Sequence, residues 1–179
     1  MGLRMFCYKK TIFLIGFISW PITIYAQRCQ TADIPATTPV SRFITNSNET
    51  VKDTKTGLIW KICTEGQNGL DCKNGTAIMF TWQQALTQAK SINENGGFAG
   101  YSDWRVPNVK ELVSISEKQC LDPGINLTLF PNTPDGGWFW TSSSFASNGK
   151  SAWSVNYSHG GSYEKSKESN DIYVRLVRG

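Results

Sequence analysis

Four cysteines placed after an N-terminal export segment constrain this chain more than any other feature. Arg4, Lys9 and Lys10 open the sequence, an apolar run follows from Ile12 to Trp20, Pro21 breaks it, and Ile24, Tyr25 and Ala26 end it on a small residue. That succession is the one expected of a cleavable secretory signal over residues 1–26. The competing reading is an uncleaved membrane anchor. The run is short for crossing about 30 Å of hydrocarbon, and Pro21 stands where an anchor would continue. Bulky, polar Gln27 and Arg28 before Cys29 argue against a lipoprotein. Cleavage after Ala26 would remove Cys7 and leave Cys29, Cys63, Cys72 and Cys120. An even count in an exported chain reads as two disulfides, with three connectivities open. Gly66, Asn68 and Gly69 make a flexible polar loop that favours Cys63–Cys72, and Cys29–Cys120 follows by elimination. In the chain-entropy picture the short loop contributes about 2.5 kcal/mol and the long one about 4.5 kcal/mol. A zinc site is disfavoured, because there is no Cys-x-x-Cys pair and His159 is the single histidine.

Export also changes the charge argument. Residues 1–26 carry three of the 18 basic residues and none of the acidic ones, which leaves 15 against 14 and a formal charge of +1. So balanced a chain lacks the basic surplus of a nucleic-acid binder. The expected mature chain of about 150 residues suits one domain, burying roughly two-thirds of its unfolded surface.

Residues 27–42, with Pro35 and Pro39, read as an extended arm without a core of its own, and residues 43–179 as the domain. Phe43-Ile44, Thr50–Lys52 and Leu58–Trp60 are strand candidates separated by polar turns. Thr81 followed by Gln84 predicts a capping box for a helix whose stripe is Trp82, Ala85, Leu86, Ala89 and Ile92. Asn108 and Glu111 repeat the logic for a second helix with Val109, Leu112 and Val113 on its apolar side. Residues 120–137 read as irregular loop. Trp138–Ser142, Ser151–Tyr157 and Ile172–Val177 alternate with period two, which predicts strands with one buried and one wetter face. Strands, two helices, a long loop and further strands make an α+β order with an antiparallel sheet.

The chemistry-bearing residues are few. His159 lies in Ser158-His159-Gly160-Gly161, a hairpin turn, which is a poor place to hold a catalytic base rigidly. There is no Gly-x-Ser-x-Gly elbow, no His-Glu-x-x-His and no phosphate-cradling loop. Pairing of the cysteines leaves no thiol nucleophile. Asp53, Asp103, Glu111 and Glu117 could form an acid/base pair or a calcium cage, but each has a structural alternative. Asp53 ends a strand, Glu111 caps a helix, and Asp103 is expected to pair with Arg105 or a backbone amide. Trp104-Arg105 reads as a core anchor, with the guanidinium satisfying loop carbonyls. The expectation is therefore no enzyme, no catalytic or metal residue and no cofactor. The best candidate contact surface is Lys150, His159, Tyr163, Lys165 and Lys167, suited to an anionic or hydroxylated ligand. The competing reading is a solvated loop over residues 158–171 in which Glu164, Glu168 and Asp171 dilute the charge.

The ordered motifs also carry a resemblance. Asp53-x-x-Thr56-Gly57-Leu58-Ile59-Trp60, the Cys63/Cys72 insert, Thr81-Trp82-Gln83-Gln84-Ala85-Leu86, Gly100–Leu112 with its Tyr101-Ser102-Asp103-Trp104-Arg105 core, Trp140–Ser143 and Tyr173–Gly179 run in order from about residue 43 to the end. Together they resemble the bacterial domain family named for the C-terminal domain of the Legionella collagen-like adhesin. The resemblance implies a C-type-lectin-like fold, also related to formylglycine-generating enzymes, and an extracytoplasmic role in the periplasm, at the cell surface or secreted. It further implies a binding partner such as the sulfated glycosaminoglycans associated with that adhesin, another anionic glycan, or a surface protein. The chain has no Gly-x-y stalk and no Glu-Pro-Asn, Gln-Pro-Asp or Trp-Asn-Asp motif, so calcium-dependent sugar binding is not implied for it. An alternative is a non-catalytic structural or assembly component of a pilus or envelope complex. No nucleic acid and no membrane span after cleavage are expected.

Overall fold

The structure, a computed structural model, describes residues 27–179, so the expected signal segment lies outside the described residues. In chain order the strands are β1 (Arg28–Cys29), β2 (Phe43–Thr45), β3 (Thr50–Asp53), β4 (Ile59–Lys61), β5 (Gln67–Asn68), β6 (Asn74–Gly75) and β7 (Met79–Phe80). Helices α1 (Trp82–Glu94) and α2 (Val109–Ser114) follow, then β8 (Cys120–Leu121), β9 (Trp138–Ser144), β10 (Ser151–Asn156), β11 (Gly161–Ser166), β12 (Ile172–Tyr173) and β13 (Val177–Arg178).

Both helices start where their caps predict. The Thr81 hydroxyl accepts from Gln84 N and the Gln84 side chain accepts from Thr81 N; Asn108 and Glu111 make the same reciprocal pair. Each box satisfies two backbone donors that helix geometry leaves without partners. On α1 the buried residues are Ala85 and Ala89, while Trp82, Leu86 and Ile92 are partly buried. Two alanines let the helix approach Trp140, Ala152, Ile172, Val174 and Leu176 closely.

The strands form two main sheets. One has the order β11-β10-β9-β12-β7 and the other β13-β4-β3-β2; β1-β8 and β5-β6 are separate pairs. All pairings are antiparallel except β9 with β12. The architecture is thus α+β, mostly antiparallel, with two helices and two disulfides. Phe139, Val155 and Tyr157 carry the five-stranded sheet into a core shared with Trp60, Leu112, Ile115 and Phe130. Trp140 and Ala152 belong to a second core beneath α1. Deleting a buried side chain such as Leu112 leaves a cavity and costs about 2–5 kcal/mol.

The predicted last strand, Ile172–Val177, is two strands. β12 belongs to the five-stranded sheet and β13 to the four-stranded one, and the chain crosses between them through Val174, Arg175 and Leu176. The wetter face expected for Arg175 is absent. Its side chain is fully buried, donating to the carbonyls of Lys61 and Ile62 and the hydroxyls of Thr64 and Thr133. Phe130 and Phe139 cover the guanidinium. These acceptors supply the hydrogen bonds without which a buried cation would be costly. Apart from β8 at its start, the stretch 120–137 is irregular as expected, yet it delivers Ile125, Leu129 and Phe130 to the core.

The arm at 27–42 has no core of its own but is tied down throughout. Cys29 is bonded to Cys120, and β1 pairs with β8. Glu117 accepts from the backbone N–H groups of Thr37 and Thr38 at 2.9 Å each and from Gln119 N at 3.0 Å. Burial opposes ionisation of Glu117, but these donors and the Thr38 hydroxyl hold its pKa down at about 2. The second cystine joins Cys63 to Cys72, nine residues apart and wholly within the β4–β7 connection.

Candidate functional site

The stretch expected to be a polar loop, residues 158–171, contains an edge strand. β11 pairs with β10 over six residue pairs, from Ser151 opposite Ser166 to Asn156 opposite Gly161. Its Ser162, Glu164 and Ser166 face solvent, so no apolar alternation marks it in the sequence. Strand geometry now decides which groups share a face. Tyr163 stands opposite Ser154 and Lys165 opposite Ala152, whereas Glu164 stands opposite Trp153. Successive side chains point to opposite faces. Glu164 therefore lies on the other side of the sheet and does not dilute the charge around Lys165.

Three of the five candidate residues meet in one cluster, and a tryptophan joins them. The His159 and Tyr163 rings are 5.6 Å apart edge-to-face, and Tyr163 meets Trp138 in the same way at 5.5 Å. Lys165 Nζ sits 3.9 Å from the Trp138 ring centroid. Such a contact is worth about 0.5–1 kcal/mol at an exposed site. It restricts where the ammonium can sit. Lys167 does the same over Trp82, 4.2 Å from the ring centroid, and donates to Ser144 Oγ and Gly149 O at 3.0 Å each. Trp82 in turn is fixed through its indole N–H, which donates to Thr141 O at 2.8 Å. Lys150 is exposed, and its carbonyl accepts from Lys167 N at 2.9 Å, one step beyond the β10–β11 ladder. Trp82 and Trp138 were not among the candidate residues. Their role rests on contacts with residues distant in sequence, for which no local signal exists.

The four acidic candidates, Asp53, Asp103, Glu111 and Glu117, are each committed to a structural contact. Asp53 is buried beneath Arg42, which makes a two-point pair with it, and it also accepts from Thr56 Oγ1 and Lys55 N. Burial opposes its ionisation, but Arg42 and these donors keep its carboxyl below the usual range. Glu111 caps α2 and holds Arg105 through both oxygens at 2.7 and 2.9 Å. Burial works against its charge, and the guanidinium and the Asn108 N–H more than offset this. Asp103 pairs with Arg178 at 2.7 Å, not with Arg105 or a backbone amide as the sequence suggested. Arg105 is already occupied by Glu111, and β13 brings Arg178 alongside. Trp104 is the expected core anchor, its indole N–H donating to Phe98 O at 2.9 Å. Arg105 satisfies a carboxylate and one carbonyl, that of Gly179, rather than irregular-loop carbonyls alone. Among the described residues no group of three or more His, Cys, Asp or Glu side chains is placed to hold a metal ion.

The family model described as the Lcl C-terminal domain matches residues 49–178, from the start of β3 to β13. The chain belongs to the Lcl C-terminal domain family. No curated protein matches it. The matched Lcl segment holds both helices, Cys63–Cys72 and the whole lysine–aromatic surface. It leaves out β2 and the arm with Cys29. Membership points to a binding module, and with the two disulfides to an extracytoplasmic location. No helix among the described residues is long and apolar enough to cross a membrane.

Proposed function

We propose that this Lcl domain is an exported, non-catalytic binding module of C-type-lectin-like fold whose β9–β11 surface takes a polyanionic or cell-surface glycan. The carrying observation is the pair of lysines seated on tryptophan rings, Lys165 on Trp138 and Lys167 on Trp82. A lysine on a flexible stem loses side-chain entropy when it binds an anion. Here the rings already restrict the stems, so the ammonium groups are pre-arranged for sulfate or carboxylate groups along a chain. His159 and Tyr163 extend the surface with a ring donor and a hydroxyl. The absence of a calcium motif fits recognition through charge rather than through metal-bridged hydroxyls.

The test is retention of the oxidised domain on immobilised heparin at about 0.15 M salt, where only closely opposed charges still attract. Wild type is expected to be held and a Lys165→Met/Lys167→Met variant to elute earlier. Elution of wild type at low salt would end the proposal.

A second reading, an assembly component of a pilus or envelope complex, has its own observation. Ile78 and Met79 are 52% and 46% exposed beside the edge strand β7. They line a groove of about 460 Å³ with Phe80 and the Gln84 and Gln88 side of α1. Capture of a protein partner by crosslinking, blocked by Met79→Lys and indifferent to the lysine variants, would favour it.

A further inference from the structure

The turn that carries His159 is braced from outside as well as from within. Within the turn, Ser158 N donates to Asn156 Oδ1, Gly160 N to Asn156 O and Gly161 N to His159 Nδ1. Further contacts run to the segment after α2. Asp122 N donates to Ser158 O at 2.9 Å, Gly124 N to Tyr157 O, and Lys118 Nζ to Gly160 O at 2.6 Å. Packing there is close: a Cβ on Gly160 would lie 2.9 Å from Ser116 Cβ, and one on Gly124 3.2 Å from Gly160 N. The whole 116–124 segment is in turn held by the arm. Cys120 is bonded to Cys29, Gln30 N donates to Gln119 O, and Gln27 Nε2 donates to Pro123 O and Ile125 O at 2.6 and 2.7 Å. One continuous set of contacts thus leads from the arm, through residues 116–124 and the turn, to the His159 ring set edge-to-face on Tyr163 and so to Trp138 and Lys165.

We propose that Lys118 and the Cys29–Cys120 clasp are positioning elements for the glycan surface, so that an arm outside the family-matched segment sets the geometry of the site. The inference rests on the reading of that surface given above. Lys118 acts on the His159 turn through the Gly160 carbonyl. The cystine acts by fixing the strand pair to which Lys118 and Asp122 are joined. Neither needs to touch the ligand.

Four variants of the full mature chain separate the possibilities: Cys29→Ser/Cys120→Ser, Lys118→Met, Lys118→Arg, and Cys63→Ser/Cys72→Ser as control. Amide exchange at Gly160 and Gly161 and the His159 ring resonance, which senses the Tyr163 ring, report the turn without any ligand. Heparin affinity reports the surface. Losing one charge-assisted hydrogen bond or its anchor should speed exchange at the turn about tenfold and move the His159 resonance. Lys118→Arg keeps a donor and should stay near wild type, and the Cys63/Cys72 control should leave the turn unmoved. The Cys29/Cys120 variant removes no charge, so several-fold weaker heparin binding, measured where circular dichroism shows the variant folded, would report geometry and not charge. If Lys118→Met folds with unchanged exchange and an unmoved His159 resonance, the positioning role is wrong. If the turn loosens as expected but wild type ignores heparin, the positioning stands and the glycan reading falls.

Discussion

The two cystines of this domain do different work. Cys63–Cys72 spans nine residues, is buried at both ends and closes an insert between β4 and β7. Cys29–Cys120 spans 91 residues, is exposed at Cys29, and joins a segment without a core to one that supports a turn. The first is local: the insert already folds back on itself through β5 and β6. The second is the covalent part of an attachment whose other members are backbone pairing and Glu117. Loop length and burial rank the two bonds oppositely. Chain entropy favours the long one, while packing favours the short one.

The largest expected effect breaks the long bond. Cys29→Ser/Cys120→Ser should lower stability by about 4.5 kcal/mol in denaturant titration. Cys63→Ala/Cys72→Ala should cost about 2.5 kcal/mol from the loop, with a further loss because both sulfurs are packed. Equal costs would mean that packing outweighs loop length here.

Glu117 makes the arm's attachment sensitive to acid, which neither cystine is. Its pKa is about 2 in the folded protein and lies near the ordinary glutamate value when unfolded. A depressed carboxylate contributes stability fully above its unfolded pKa, and the contribution fades as pH falls toward the folded one. Stability should therefore drop between about pH 5 and pH 2, by roughly 2–3 kcal/mol for this group. Glu117→Gln should remove that share of the slope and loosen the arm's amides before the rest of the domain. An unchanged acid slope in the variant would place the sensitivity elsewhere. The smallest effect belongs to Asp103→Asn. The Asp103–Arg178 pair is exposed on the carboxylate side, and loss of it should change stability by no more than about 1 kcal/mol.

The candidate surface was partly legible. Lys165, Tyr163 and His159 could be singled out because polar, aromatic and titratable residues cluster in one short segment. Trp138 and Trp82 could not, since a tryptophan in a strand or at a helix start looks like core. In a loop spanning 158–171, Glu164 would dilute the charge of the site. Once β11 is a strand, the pleat puts it on the other face. Sequence proximity points Asp103 to Arg105 or a backbone amide, whereas tertiary pairing supplies Arg178.

What the sequence determined alone are the features whose cause is local. The two capping boxes need only residues three apart, and the strand starts need only alternation. The even cysteine count needs only an oxidising compartment. What the tertiary structure decided are the features whose cause lies far along the chain. The split of the last strand, the burial of Arg175, the strand character of β11 and the seating of lysines on distant tryptophans all belong here. Each depends on which hydrogen-bonding edge or ring the folded chain brings within a few ångströms, and periodicity along a sequence carries no record of that distance.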